Sequence, residues 1–506
     1  MTAEHILSNF DFTKRQNWAR NFFAFDIAEF EKLLCEKGES FWQKKGEERA
    51  LKLFHTAALK IPAYKDFLWK HKIKHEKIKT IQDFQRVPFT DKKNYIRTYP
   101  LEKRCWDGNL HSANILAMSS GTSGEPTPWV RGGFQEFEAA VIHELLYRYL
   151  FDIQKYQTLL IIGFPMGMYV SGVATLLPSW LVSQKGYNLT VVSIGTNKAD
   201  ILRVAKLLQK DYQQIILAGH PFFMKDVIET GKEEGIQWAK KKIKLMFCSE
   251  GFSEEWRRHV LDEIKPSLGA ENIVSTYGSS ELLLMAYETP GSIALKSAIE
   301  KTKEIKTELL RRWSPSNLFQ YNPFLRYIES VKDELLFTSA SGVPLIRYNL
   351  HDMGRIIPVV QVKRAFPKLN IQWQLPFLAL GGRSDYAVVF YAANIYPEHI
   401  RQALDHKPFL DKITGRFVMR KDYTKKMEEF LEVNIELRRG VKQDTTFERI
   451  TQKRMVEHLQ KVNMEYLFLW NNLKQDIRPR IKLWPYQHEK YFKLGLKPKY
   501  ILASEH

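Results

Sequence analysis

The apolar positions change their period along the chain. In the N-terminal part they recur at helical spacing, as in Phe30-Glu31-Lys32-Leu33-Leu34 and Leu51-Lys52-Leu53-Phe54, so residues 1–115 read as mainly helical. From about residue 157 short continuous apolar runs take over. Leu159-Leu160-Ile161-Ile162-Gly163, Leu189-Thr190-Val191-Val192, Ile215-Ile216-Leu217-Ala218, Leu245-Met246-Phe247 and Ile273-Val274-Ser275-Thr276 each read as a buried strand. Helical spacing fills the gaps: between Ala199 and Leu208 the apolar residues stand at 201, 204, 205, 207 and 208. The helix after Phe247 is expected to begin near Ser253, a good N-cap, with Glu254 and Glu255 at its positive end. Strand and helix alternating in this way predict βαβ units, and so an α/β fold with mostly parallel sheets flanked by helices.

Past residue 330 come a strand candidate, Glu334-Leu335-Leu336-Phe337-Thr338, a turn at Ser341-Gly342, and an exposed corner at Gly381-Gly382-Arg383-Ser384-Asp385. Beyond that corner the chain becomes more basic and β-branched, with a segment at 431–437 and a long helical stretch near 447–470. The boundary is therefore placed at Asp385. Residues 1–384 form the expected large domain and residues 385–506 a small α+β domain. No internal repeat or low-complexity tract is visible.

A chain of 506 residues exceeds one typical core, which agrees with two domains. Apolar residues make up 44% and aromatics 13%, as in well-packed globular proteins. Met1 to Arg20 is polar and charged, and no run approaches the ~18 apolar residues that span a bilayer. Cys35, Cys105 and Cys248 are too scattered for a disulfide framework or a zinc knuckle. These features predict a cytoplasmic protein with no membrane span. The net charge of +19 is spread along the chain: from Tyr386 onward 23 Lys+Arg stand against 15 Asp+Glu, which is +8 of the +19. Lys240-Lys241-Lys242 and Lys425-Lys426 are short enough to be solvated helix faces. A diffuse positive field suits ATP, coenzyme A or an acidic acyl carrier protein as well as it suits nucleic acid.

Chemistry concentrates first in Ser119-Ser120-Gly121-Thr122-Ser123-Gly124-Glu125-Pro126-Thr127, which follows the apolar run Ile115-Leu116-Ala117-Met118. Glycines let a backbone close around an anion, and hydroxyls with successive N–H groups donate to phosphate oxygens. A Ser/Gly connector is the alternative reading, and the Walker spacing is absent. Two further clusters follow strands: Cys248-Ser249-Glu250-Gly251 and Tyr277-Gly278-Ser279-Ser280-Glu281. In the second, an aromatic face suits a base, and a carboxylate suits magnesium beside a triphosphate. A third lies in Ile346-Arg347-Tyr348-Asn349-Leu350-His351-Asp352-Met353-Gly354, where Asp352 is either a ribose ligand or a turn cap. Phe164, Tyr169, Phe222 and Phe223 are acid-pocket or core aromatics, and His220 reads as a structural residue at a strand end.

This ordered set resembles the adenylate-forming superfamily of acyl-CoA synthetases and adenylation domains. Within it, the chain is most similar to the phenylacetate–coenzyme A ligase branch and its capsule-biosynthesis relatives. Ser119 to Thr127 is similar to the family's phosphate loop, Tyr277 to Glu281 to its Tyr-Gly-x-Ser/Thr-Glu, Arg347 to Asp352 to its Arg-Tyr-Arg-Thr-x-Asp, and Gly382 to Asp385 to its Gly-Arg-x-Asp. The branch rests on Val87-Pro88-Phe89-Thr90-Asp91-Lys92 with Tyr99-Pro100, and on Asn394-Ile395-Tyr396-Pro397.

The resemblance implies ATP-dependent activation of a carboxylic acid to an acyl-adenylate, release of pyrophosphate, and transfer to a thiol of coenzyme A or a carrier protein. It places Ser119, Ser120, Gly121, Thr122, Ser123 and Gly124 on the β- and γ-phosphates. Tyr277 packs on adenine with Gly278 in the same ATP/AMP-binding set, Ser280 meets the α-phosphate, and Glu281 ligates Mg2+. Asp352 with Arg383 holds the ribose, Asp385 is the hinge of a mobile small domain, and Lys497, or else Lys499, bridges the attacking carboxylate and the α-phosphate. Thr122, Glu281 and Lys497 form the implied catalytic set. The chain departs from the pattern at Asn349 and Tyr386, and at Ala392, where the family has a glycine near the pantetheine arm. A non-catalytic adenylate-binding scaffold and a nucleic-acid-binding protein are the alternatives, separated from the first reading by pyrophosphate release.

Overall fold

The computed structural model describes residues 3, 18–111, 115–119, 126–167, 170–249, 251–252, 254–302, 308–310, 317–383, 387–404, 409, 411–473, 476–492 and 501. The chain forms two compact units, residues 1–119 with 128–384, and residues 120–127 with 385–506.

The first unit begins with packed helices. Asp26 caps the helix Ile27–Glu36 by accepting from the amides of Ala28 and Glu29, and Phe30 and Leu34 are buried from the resulting apolar face. The next helix, α1 (Glu39–Lys60), buries Trp42, Gly46, Arg49, Ala50, Leu53, Phe54 and Ala57 along one stripe. Gly46 is required there by close approach: a Cβ would lie 2.4 Å from the Pro323 carbonyl oxygen. A hairpin of β1 (Ile115–Met118) and β2 (Pro128–Arg131) brackets the 119–127 loop in sequence, and β2 leads into α2 (Gly133–Phe151), which is buried on nearly every side.

The main sheet then builds up as the apolar runs predict. β3 (Thr158–Ile162), α3 (Val170–Ser183), β4 (Leu189–Ser193), α4 (Lys198–Leu208), β5 (Gln214–Gly219), α5 (Pro221–Glu233), β6 (Lys242–Cys248), α6 (Glu254–Ile264) and β7 (Ile273–Ser279) alternate, and the five strands pair in parallel in the order β4-β3-β5-β6-β7. β8 (Leu283–Tyr287), α7 (Pro290–Glu300), β9 (Leu318–Gln320), β10 (Tyr327–Val331), β11 (Glu334–Ser339), β12 (Leu345–Ile357) and β13 (Phe377–Arg383) follow. Their strands extend the same sheet, antiparallel, to eleven in the order β10-β11-β12-β13-β9-β8-β7. The strands of this half are as apolar and as buried as the parallel ones, so their alternation is lost and direction is not written in their pattern.

The second unit holds a short hairpin, β14 (Val388–Phe390) with β15 (Ala393–Ile395), and a three-stranded sheet of β16 (Ile413–Tyr423), β17 (Glu429–Leu437) and β18 (Arg480–Trp484). β17 and β18 are parallel, joined through α8 (Thr445–Val462) and α9 (Met464–Asn472). The helical stretch expected near 447–470 is thus two helices. Asn463 leaves helical geometry at φ −127° and caps α9 by accepting from the Tyr466 amide. Among the described residues no helix is long and apolar enough to cross a membrane.

Candidate active site

The parallel strands β5, β6 and β7 end at Gly219-His220, Cys248-Ser249 and Tyr277 to Ser279, the end of an open α/β sheet at which ligands bind. β7 passes into β8 through a bulge between Tyr277 and Gly278, with the turn closed by the Leu282 amide donating to Ser279 Oγ at 3.1 Å. Gly278 has no room for a side chain, because a Cβ would sit 2.8 Å from the Leu283 carbonyl oxygen. The Tyr277 ring is stacked beside Phe319, 6.0 Å between centroids and 20° from parallel. Its hydroxyl donates to Asp352 Oδ2. Asp352 in turn stands opposite Arg383 in the β12–β13 register. Three residues that the resemblance assigned to adenosine, from three separate motifs, are thereby neighbours.

Glu281 follows on the same turn and is 7% exposed. Its carboxylate meets Lys92 Nζ at 3.4 Å, and its backbone carbonyl accepts from Gln135 Nε2 at 3.3 Å. Lys92 is held there by a chain of local bonds. Thr90 forms a parallel bridge with Tyr348 on β12, its amide donating to the Arg347 carbonyl while its own carbonyl accepts from the Asn349 amide at 2.7 Å. Asp91 and Asn94 cap each other around the turn that starts at Lys92. Burial would raise the Asp91 carboxyl, but His351, 3.5 Å away, and the Asn94 amide hold it below the usual carboxylate range. Arg347, at φ +46° and 5% exposed, completes the joint by donating to the Val87 carbonyl and to Glu329. The segments 87–92 and 347–352 are one structural piece, and it delivers a cation to the Glu281 carboxylate. Sequence reading gave Lys92 no role, and Gln135 carried no signal at all.

A buried ionic cluster sets the far side of the turn. Glu288, at the end of β8, is fully buried and accepts from Arg257 (2.7 Å), Lys296 (2.8 Å) and the Ser275 amide (2.7 Å). Glu254 balances the second charge, bonding Arg257 through both carboxylate oxygens and Lys296 at 3.1 Å. Burial alone would raise the Glu288 carboxyl, yet Arg257 and Lys296 hold it below its ordinary value. Because Ser275 lies two residues before Tyr277, this cluster anchors both strands that carry the site.

Among the described residues no group of three or more His, Cys, Asp and Glu converges as a metal cage. A single buried carboxylate at Glu281 fits magnesium, which keeps water and substrate phosphate oxygens as its other ligands. Ser119 is 5% exposed at the end of β1, and Ser280 is partly exposed in the β7–β8 turn. Ser120, Gly121, Thr122, Ser123, Gly124, Asp385, Tyr386, Lys497 and Lys499 lie outside the described residues, as do Glu250, Ser253, Tyr169 and the side chains of Phe222 and Arg383. Phe164 and Phe223 are buried at 4% and 5%, and His220 stands at the N-cap of α5 without a side-chain cap bond.

In the second unit, Tyr391 and Ala392 form the two-residue turn of the β14–β15 hairpin, at φ +44° and +69°. Such turns favour glycine at the second position, so the methyl of Ala392 is accommodated against the backbone preference. The Glu429 carboxylate fixes the turn from the Tyr391 amide at 2.6 Å, and Glu465 accepts from the Asn394 amide at 2.8 Å.

No described protein family matches the sequence, and no curated protein matches it. Solved structures do. The crystal structure of 2-hydroxyisobutyryl-CoA ligase in complex with 2-HIB-AMP and CoA, in the thioesterification state, superposes with a TM-score of 0.63 at 15% identity, covering 94% of this chain and 92% of that one. The same ligase in the postadenylation state, in complex with R3-HIB-AMP, gives 0.54 at 14% identity over 99% of this chain and 96% of that one. Its open conformation gives 0.52 at 14% identity over 91% of each. At such identities the likeness is one of architecture: over nearly its whole length, this chain has the fold of 2-hydroxyisobutyryl-CoA ligase.

Proposed function

We propose that this protein activates a carboxylic acid with ATP, forming an acyl-adenylate and releasing pyrophosphate, and then passes the acyl group to a thiol, of coenzyme A or of an acidic carrier protein. The phenylacetate–coenzyme A ligase-like branch and a cytoplasmic setting belong to the same reading. What carries it is the joining of three motifs at the ends of β7 and β12: Tyr277 bonded to Asp352, and Lys92 against the buried Glu281. Crystal structures of a ligase with the same fold, bound to 2-HIB-AMP and R3-HIB-AMP, support it.

In this reading the adenine lies on Tyr277 and the ribose hydroxyls donate to Asp352. The backbone and hydroxyls of 119–124 hold the β- and γ-phosphates. A carboxylate attacking the α-phosphate brings two anions together, so the site must supply positive charge where charge builds up. Lys497 supplies it at the attacking oxygen. Glu281 would hold magnesium, which when bound would supply positive charge beside the phosphates. Lys92, 3.4 Å away, orients the Glu281 carboxylate. The small unit, turning at Asp385, excludes water from the reactive anhydride.

The test is pyrophosphate release across aliphatic, aromatic and amino acids. Lys497→Ala is expected to slow release by roughly 10²–10³-fold while ATP still binds, the usual cost of one lost charge donor. ATP binding with no release for any acid would sink the proposal, as would full activity in Lys497→Ala.

A further inference from the structure

Between Lys60 and Lys79 the chain carries seven lysines and no arginine against only Asp66 and Glu76, a surplus of +5 out of the +19 in the whole. The segment consists of the helix Pro62–Lys70, its C-terminal turn and the short 3-10 turn His75–Lys77. Its apolar side chains fasten it to the core: Phe67 and Leu68 are buried, and Ile73 and Ile78 pack against the same cluster. The helix closes with the Ile73 amide donating to the Leu68 carbonyl and the Lys72 amide to the Trp69 carbonyl, both at 2.9 Å, and with Lys72 at φ +58°. Such a position favours glycine, so a charge stands there against the backbone preference.

With the apolar residues turned inward, Lys65, Lys72, Lys74, Lys77 and Lys79 are all exposed. The nearby carboxylates are engaged elsewhere. Asp66 takes Lys70 and the Tyr99 hydroxyl, both at 2.7 Å, and Glu76 faces His75 at 3.1 Å. Asp83 accepts from the amides of Lys79 and Thr80. Among the described residues none of those five ammoniums has an acidic partner. Trp69, four residues from Lys65 and so on the same helix face, is 76% exposed, a large ring left in water among these charges.

Three kinds of anionic partner compete for such a surface, and its composition separates them. Protein interfaces are poor in lysine and rich in arginine. Single-stranded nucleic acid is held on successive rings and on arginine planes, and this segment offers one exposed ring and no arginine. An anionic bilayer asks for what is present: ammoniums at the headgroups, and an indole whose apolar body enters the interface while its N–H stays hydrated.

We propose that this face docks the protein on an anionic membrane surface, with Trp69 as the inserted anchor; the inference goes beyond the acid-activation reading and does not rest on it. The test is co-sedimentation of the full chain, at about 0.1 M salt, with vesicles of phosphatidylglycerol and phosphatidylcholine or of phosphatidylcholine alone. Each lysine near an anionic surface adds about fivefold in affinity, so Lys74→Glu with Lys77→Glu should weaken binding to the anionic vesicles by at least ~25-fold. Trp69→Ser should weaken it by about tenfold. Lys425→Glu with Lys426→Glu makes the same change in net charge at two exposed lysines of the β16–β17 turn, and should leave binding within about twofold. Absence of binding to the anionic vesicles, or equal binding to phosphatidylcholine alone, overturns the proposal. Equal losses from the two charge pairs also overturn it, since net charge alone would then drive adsorption, as does unchanged binding in Trp69→Ser. Tighter binding to a single-stranded oligonucleotide, abolished by the same variants, assigns the face to nucleic acid instead and overturns it too.

Discussion

Replacing Glu288 with glutamine leaves Arg257 and Lys296 buried beside a neutral group. Both are at most 1% exposed, and neither can reach water without opening the contact between α6, α7 and β7. The substitution also turns one acceptor oxygen into a donor facing Arg257 and Lys296 or the Ser275 amide, each now within 2.8 Å of a carboxylate oxygen. Removing one partner from a buried ion pair costs about 3–5 kcal/mol. Against the ~5–15 kcal/mol that holds a typical domain together, this is a large fraction. Urea unfolding followed by tryptophan fluorescence suits the measurement, because Trp256 adjoins Arg257 in α6. Adding Lys296→Met to Glu288→Gln should recover much of the loss, since the double change removes a charge of each sign. The carboxyl is held below its ordinary value, so its contribution is present above the unfolded carboxylate pKa, about 4.3, and is lost as pH falls through the folded one. A cost below about 1 kcal/mol, the size of a surface ion pair, or a double variant no more stable than the single, would refute the view that this cluster clamps the β7–β8 turn.

Three other outcomes follow from the same geometry. Burial pushes the His143 imidazole down to about 4, from 6.5. Between those values the unfolded chain binds the extra proton, so stability should fall by about 3 kcal/mol as pH drops from 6.5 to 4; comparing urea midpoints of wild type and His143→Phe across that range isolates the effect. Ala392→Gly relieves a left-handed alanine at φ +69° and should stabilise its hairpin by about 1 kcal/mol, read by calorimetry of the full chain; in the proposed reaction it should also speed transfer to coenzyme A. Gly278→Ala forces a methyl against the Leu283 carbonyl, 2.8 Å from the Cβ position, and should cost about 1–3 kcal/mol and weaken nucleotide binding measured by titration calorimetry.

Much of the architecture is local and was legible. The helix Lys198–Leu208 follows from its apolar spacing and from Asn197 as its cap, and β3 and β5 follow from runs long enough for strands and too short for helices. Tyr277, Glu281 and Asp352 were visible as chemically suited residues after strand-like runs. The split of the helical stretch at Asn463 was not, because a single capping asparagine competes with helix continuation only by tenths of a kcal/mol, and the packing around it decides.

What the sequence determined by itself is the set of elements and the types of residue placed at their ends, since period, caps and turn glycines act over a few neighbours. Which elements become neighbours was decided by tertiary structure. The antiparallel half of the sheet has no period of its own, because both of its faces are covered. Lys92 reaches Glu281 only because Thr90 pairs with Tyr348 across the fold, and the Tyr277 hydroxyl meets Asp352 only because β7 and β12 belong to one sheet. Contacts of that range depend on how the whole core packs, and no window of sequence contains both partners.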